Sequence, residues 1–437
     1  MGEGSVAFDL IWALARHSDK IEQFDELART SFELKHYLLA TELSEKALGL
    51  SRDPKQIYNI QSNLVNSYAH ANYPEKALDV ISTQEKVIPF DRDRDLKKAY
   101  SLFLMGKRDE AEKILRENLV NPYTSSKIKT EINFNLGTYE MYKDNFHEGL
   151  YRFLFYGREM GNWNKPKLPY KFWDGCDISG KTLIIMTEAG IGDEFINVRF
   201  MNNLKSMGVT PIWLTERGDI ANIFRSSGFG VINDTKNIID NGSIYWCHSM
   251  DLPVLMNLEY KDLWGGSYIT PPTKSIVPDY YNTDKLKVGL RWQGNIHYDN
   301  DLHRSLNLSE LYEVASSDKA QLYSLQRDEG AEEVYRFDDI IPLHEFSMKT
   351  FEDTLFDISN LDLVITSCTS IAHASAAMGK ETIVMVPMSA YYVWCNTWGE
   401  KSPWYGDNIT VLRQVKPRCW KEPLQRLREI LHVRYGI

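Results

Sequence analysis

The chain has 437 residues, 43% hydrophobic and 25% charged, the makeup of an ordinary folded protein large enough for two or three cores. Its 50 basic and 60 acidic residues leave a net charge of −10, which argues against bulk electrostatic attachment to nucleic acid or an anionic membrane, though a local basic groove survives that test. No run reaches the roughly 18 apolar residues of a membrane span.

The start, MGEGSVAFDLIWALARHSD, lacks the basic region and small-residue cleavage site of a signal peptide. It fits a myristoylation pattern only loosely, because Val6 stands where Ser or Thr is expected. The five cysteines (Cys176, Cys247, Cys368, Cys395, Cys419) are scattered without a Cys-x-x-Cys pair, which points to a reducing cytoplasm and no zinc site.

Residues 1–160 show almost no strand pattern. A phrase recurs there as KHYLLATELSEKAL, ANYPEKALDVI, GKRDEAEKIL and DNFHEGLYRFL. Its small anchors, Ala40, Ala77, Ala111 and Gly149, are spaced by 37, 34 and 38 residues. A period near 34 with helix–turn–helix content is the tetratricopeptide signature, so the segment reads as an array of helical pairs. Such an array either offers a concave face to an extended peptide or serves as a spacer packed on the next domain. The stretch over 161–180, with Pro166, Pro169, Gly175 and Gly180, reads as a linker or clasp.

From Lys181 strands and helices alternate. TLIIMT, PIWLT, GVIND and SIYWCHS are strand-like, interleaved with a helix over 192–208 and another over 219–228. A second series opens at LKVGLRWQ and continues through the strands AQLYSL, LDLVITS, ETIVMVP and NITVLRQ to a terminal helix, EPLQRLREILHVRY. This alternation implies parallel sheets covered by helices, in two Rossmann-like lobes over 181–280 and 281–437. Ligands then belong in the cleft at the carboxyl ends of the strands.

Four motifs stand at such ends. In TEAGIGDEF, Asp193 opens a helix: it is either an N-terminal cap or a carboxylate that takes a proton from an acceptor. A GxGxxG dinucleotide fingerprint is absent. GLRWQGNIHYDNDLHRSLNL carries Arg291, Gln293, Asn295, His297, His303 and Arg304 in a polar loop, and its Asp-Asn-Asp at 299–301 matches a metal motif only by three letters. In SCTSIAHASAAMGK a strand hands over to a helix at Ser370. The free N–H groups of Thr369, Ser370, Ile371 and Ala372 suit a diphosphate there, with His373 one turn in; an ordinary Ser/Thr cap beside a core histidine is the alternative. NTWGEKSPWYGD is either a loop packed on the core or a platform for a base or sugar.

In this order the motifs resemble the bacterial and phage tetratricopeptide-glycosyltransferase family, whose catalytic part has the two-lobed GT-B fold; the likeness runs over nearly the whole chain. It is carried by WDGCDISGKTLIIMTEAGIGDEF, GLRWQGNIHYDNDLHRS, DLVITSCTSIAHASAAMGK and SPWYGDNITVLRQ. The last two are also similar to heptosyltransferases and, more distantly, to O-GlcNAc transferases. Many relatives have Asp where this chain has Cys368, so no acidic role is assigned there. The resemblance implies an inverting, metal-independent transferase that takes a nucleotide-diphosphate sugar as substrate and has no cofactor. Asp193 would be the base, with Glu188 and Gly192 on the acceptor side. Arg304 would neutralise the leaving diphosphate together with Arg291, while Gln293, Asn295 and the 369–373 turn hold the donor. A protein, peptide or glycan acceptor is open, as is a hydroxymethylated DNA base, which the net charge disfavours. The alternative is a non-catalytic repeat scaffold with a degenerate transferase part.

Overall fold

The computed structural model describes residues 3–163, 167–236, 238, 242–327, 329–336 and 343–437; Pro166 of the expected linker lies outside them. The chain begins with helices α1 (Glu3–Arg16), α2 (Ile21–Glu33), α3 (Tyr37–Leu50), α4 (Pro54–His70), α5 (Pro74–Val87), α6 (Arg92–Leu104), α7 (Arg108–Val120), α8 (Ser126–Tyr142) and α9 (Phe146–Glu159).

One turn recurs between α2 and α3, α4 and α5, α6 and α7, and α8 and α9. Lys35, Asn72, Gly106 and Asp144 each adopt a positive φ of 60–76°, five residues before the small anchors Ala40, Ala77, Ala111 and Gly149. The next amide in each turn reaches back to the carbonyl five residues earlier: His36 to Ser31, Tyr73 to Tyr68, Lys107 to Leu102 and Asn145 to Glu140. This closes the end of the first helix of each pair with the bond of a Schellman motif. The anchors are buried where the paired helices cross. In the last pair the approach is closer, for a Cβ at Gly149 would stand 2.6 Å from Met141 Cγ.

The first sheet contains β1 (Lys171–Phe172), β2 (Thr182–Met186), β3 (Thr210–Leu214), β4 (Val231–Ile232) and β5 (Ile244–His248), with α10 (Ile191–Val198), α11 (Met201–Ser206), α12 (Gly218–Ser226) and α13 (Leu252–Leu255) between and after them. Its order is β1-β5-β2-β3-β4, all parallel. The second sheet contains β6 (Leu286–Arg291), β7 (Ala320–Ser324), β8 (Leu343–Glu345), β9 (Leu363–Ser367), β10 (Thr382–Val386) and β11 (Ile409–Arg413). Its helices are α14 (Asp301–Arg304), α15 (Leu308–Ala315), α16 (Phe351–Ser359), α17 (Ser370–Ala377) and α18 (Lys421–Tyr435). The strand order β11-β10-β9-β6-β7-β8, all parallel, is the doubly wound 3-2-1-4-5-6 order. The order reverses between β2 and β5 in one sheet and between β6 and β9 in the other. Crevices open outside the carboxyl ends of the strands at such points.

Two expectations are corrected. The stretch over 161–180 is not only a linker: β1 pairs with β5 at the sheet edge, and Trp173 is fully buried and donates to the Cys176 carbonyl (2.8 Å). The helix over 192–208 is two helices. It breaks at Arg199, whose Nε donates to the Ile196 carbonyl (2.7 Å) while its Nη1 donates to the carbonyls of Leu263 and Trp404.

The array is not a free arm. Against the second lobe it holds the 297–303 loop: Lys35 pairs with Asp299 (2.8 Å), Tyr100 of α6 donates to Asn300 Oδ1 (3.3 Å), and the carbonyl of His70, the last residue of α4, meets His303 Nε2 (3.2 Å). On the first lobe, Arg158 of α9 lies between two buried carboxylates, Glu188 (2.6 Å) and Asp251 (2.7 Å). Burial pushes Glu188 up to about 7, and Arg158 pulls it back down. Removing one partner of a buried ion cluster strands the others. Arg158→Met is therefore expected to destabilise the chain by about 3–5 kcal/mol in denaturant titration, whereas an unchanged midpoint would show that the triad does not hold the array to the lobe.

Candidate functional site

The site forms where the first turns of α10 and α17 pack against each other. Apolar β2 ends at Met186, and the turn 187–190 follows with Ala189 at φ 62°, a left-handed conformation that non-glycine residues rarely hold. Asp193 occupies the third position of α10. Its Oδ2 accepts the Gly190 amide (3.0 Å) and its Oδ1 the Tyr391 hydroxyl (2.9 Å). The carboxyl is buried, and burial raises it to about 6, with the two donors pulling the other way.

Opposite stands the start of α17. Thr369, its N-cap residue, makes no side-chain cap; its hydroxyl lies 3.3 Å from that of Thr366. The N-cap residue caps neither helix with its side chain; at α10 the Asp193 carboxylate reaches back to the Gly190 amide, and at α17 no carboxylate does so. Gly192 sets the spacing: a Cβ there would lie 3.1 Å from His373 Cδ2 and 3.5 Å from Ser370 Cα. Behind the first turn, Ile371 and Ala372 are buried.

Arg304 reaches the same end. It donates to the Cys368 carbonyl (2.8 Å) and to Asp301 (2.8 Å), and its guanidinium lies 4.5 Å from the centre of the Tyr298 ring. Gly294 makes room for it, since a Cβ there would overlap the guanidinium. The structure thus brings together Asp193, Gly192, Thr369, Ser370, His373 and Arg304.

Other expected residues stand apart. Arg291, at the end of β6, donates to the Leu325 carbonyl (3.0 Å). Gln293 exchanges backbone bonds with the Gln326 side chain, and exposed Asn295 closes a local turn onto the His297 amide (2.8 Å). Glu188 is held by Arg158. His248 is 3.7 Å from Glu188, but burial lowers its pKa to about 4, so the ring stays neutral near pH 7.

His373 is a core histidine as well as a cleft residue. Its ring stacks on Trp394 (5.3 Å), Nδ1 meets the Tyr405 hydroxyl (2.8 Å), and burial lowers its pKa to about 3. It presents a neutral ring and not a cation. In the 396–407 loop, Trp404 and Tyr405 are packed around Arg199, so they are core and not an open platform. The Asp-Asn-Asp residues diverge to Lys35, Tyr100 and Arg304, and among the described residues no three His, Cys, Asp or Glu side chains gather as a metal site. Nor is any described helix long and apolar enough to cross a membrane.

Tyr391 and Tyr298 were not singled out from the sequence. Tyr391 follows the carboxyl end of β10, and the rule that flagged the other four motifs points there too.

No protein-family model matches the chain, and no curated protein sequence matches it. Among solved structures it is similar to the iron-containing dodecameric glycosyltransferase TibC of enterotoxigenic E. coli, at 9% identity over 60% of this chain and 79% of that one, with a TM-score of 0.38. It is similar to the E. coli heptosyltransferase WaaC with ADP at 12% identity over 57% and 99%, TM-score 0.34. A mutant O-GlcNAc transferase of Thermobaculum terrenum aligns at 11% identity over 99% and 93%, TM-score 0.30. Superpositions this loose fix neither activity nor substrate.

The raised carboxyl has a thermodynamic signature. Asp193 binds its proton more tightly when folded than unfolded, so its favourable contribution is full below about pH 4 and is lost as pH rises through about 6. Asp193→Asn removes that loss while keeping the cap. The variant is expected to gain on the parent by about 2 kcal/mol between pH 4 and pH 7, read from denaturant melts at both. A difference that does not change with pH would mean that burial does not perturb this carboxyl.

Proposed function

We propose that the chain is a glycosyltransferase of GT-B architecture that moves a sugar from a nucleotide-diphosphate donor to a hydroxyl acceptor. The observation that carries this reading is the uncapped start of α17 standing beside Arg304 and across from the buried Asp193 carboxylate. A helix N-terminus with free amides and an adjacent guanidinium is a seat for a diphosphate. A carboxylate on the opposing lobe is placed to take a proton.

In this reading Asp193 deprotonates the acceptor hydroxyl, and that oxygen attacks the anomeric carbon from the face opposite the diphosphate, inverting it. The carbon–oxygen bond to the diphosphate breaks, and its electron pair leaves with the phosphate. Arg304 and the amides at Ser370 and Ile371 stabilise the departing charge, so the proposal assigns this task to no metal. Tyr391 orients the base. Neutral His373 lines the seat, Gly192 on the acceptor side lets α10 approach it, and Arg291 adds distant positive charge at the end of β6. The acceptor is a protein, peptide or glycan; the net charge of −10 disfavours DNA. The reading places the protein in the cytoplasm.

A scaffold with a degenerate transferase part is the second reading. It is favoured by the bond from the Gly190 amide to Asp193, which a purely structural cap would also make. Turnover of a panel of UDP-, GDP-, ADP- and CMP-sugars separates the two. If Asp193 is the base, kcat/KM for the donor that turns over rises with pH through about 6 and levels above it. Asp193→Asn then lowers kcat by roughly 10²–10⁴ with donor affinity retained. Near-parental turnover by this variant removes the base from Asp193, and no turnover of any donor by the parent favours the scaffold.

A further inference from the structure

A cavity of about 350 Å³ lies away from the α10–α17 site, between the array and the second lobe. Arg108, Glu112, Tyr142 and Lys143 line it from the array, and Asn396 and Arg413 from the lobe. Its volume falls in the range of small-molecule sites, roughly 300–1,000 Å³.

Its charges are unbalanced. Arg108 opens α7 with its guanidinium 4.0 Å over the Tyr142 ring, and its buried Nε has no hydrogen-bond partner. Arg413 ends β11 and donates to the Trp394 carbonyl (2.6 Å) and Asn396 Oδ1 (3.3 Å), both neutral. Glu112 is already taken by Lys143 (2.6 Å) and Arg116 (2.7 Å), and Asp109 is exposed. Among the described residues no carboxylate bonds either guanidinium. Burial lowers the Arg413 pKa, and the charge of Arg108 adds to that. Two like charges facing one half-buried space are mutually unfavourable until an anion enters.

We propose that this cavity binds a phosphate-bearing small molecule through Arg108 and Arg413, at a site separate from the α17 seat. A phosphate accepts from both guanidiniums in the forked geometry that arginine favours. The remaining volume and the Tyr142 wall accommodate the organic part of the ligand. The site is one residue removed from the cleft, because Trp394 gives its carbonyl to Arg413 and its ring to His373. The inference does not depend on whether the chain transfers sugars.

Inorganic phosphate titrated calorimetrically into the full chain tests it. Saturable binding is expected, weakened about tenfold or more by Arg108→Gln, the loss of one charge-assisted bond. Ser370→Asp, which bars anions from the start of α17, should leave that affinity unchanged. Should Arg108→Gln lower the melting midpoint in phosphate-free buffer, Asn396→Asp serves instead, since a carboxylate beside Arg413 must weaken phosphate binding. The proposal is overturned by absence of saturable binding up to about 10 mM. Phosphate binding lost in Ser370→Asp but intact in Arg108→Gln overturns it too, as does unchanged affinity in Asn396→Asp.

Discussion

Two helix N-termini packed side by side present two partial positive charges at close range. That constraint organises the centre of this molecule. At α10 the charge is answered from within, because Asp193 folds back on the Gly190 amide. At α17 it is not, because Thr369 turns its hydroxyl toward Thr366. Arg304 adds a full positive charge on the Cys368 carbonyl. The imbalance favours an anion at α17 and keeps a carboxylate within the opposing lobe. Gly192 lets the two ends approach, and burial keeps the Asp193 carboxyl near neutral pH in its titration.

The helical array belongs to the same arrangement. It holds the loop from which Arg304 projects, through Lys35 of its first recurring turn, His70 at the end of α4 and Tyr100 of α6. The last helix is fixed to the first lobe by Arg158. The array thus spans both lobes and restrains the loop that supplies the cleft's cation. The sequence left open a peptide-binding face and a spacer packed on the next domain; the contacts described are of the packing kind.

Much of the fold was legible because each central strand is a short apolar run closed by a turn, and the small anchors Ala40, Ala77, Ala111 and Gly149 recur every 34–38 residues. What was missed depends on partners distant in sequence. At the break after α10 Arg199 bonds the distant carbonyls of Leu263 and Trp404, and no local pattern announces that. Two-residue β1 is too short for any periodicity. At the site, Asp193, Thr369, Ser370 and Arg304 were marked by their place after strands, and they converge. Gln293 and Asn295 were marked the same way, yet the Gln293 backbone bonds the Gln326 side chain and the Asn295 side chain closes its own turn. Glu188 could not be told from a second acid until Arg158, 30 residues earlier, was seen against it. Tyr391 was hidden among other aromatics after β10.

The claim at the centre is that the start of α17 is the seat for the donor's diphosphate. Hydrogen exchange of the full chain with and without nucleoside diphosphates tests it most directly. The account predicts that a bound diphosphate slows exchange at the Ser370 and Ile371 amides, with the 189–193 turn following. Binding that leaves those amides unchanged and protects another part of the chain would contradict it.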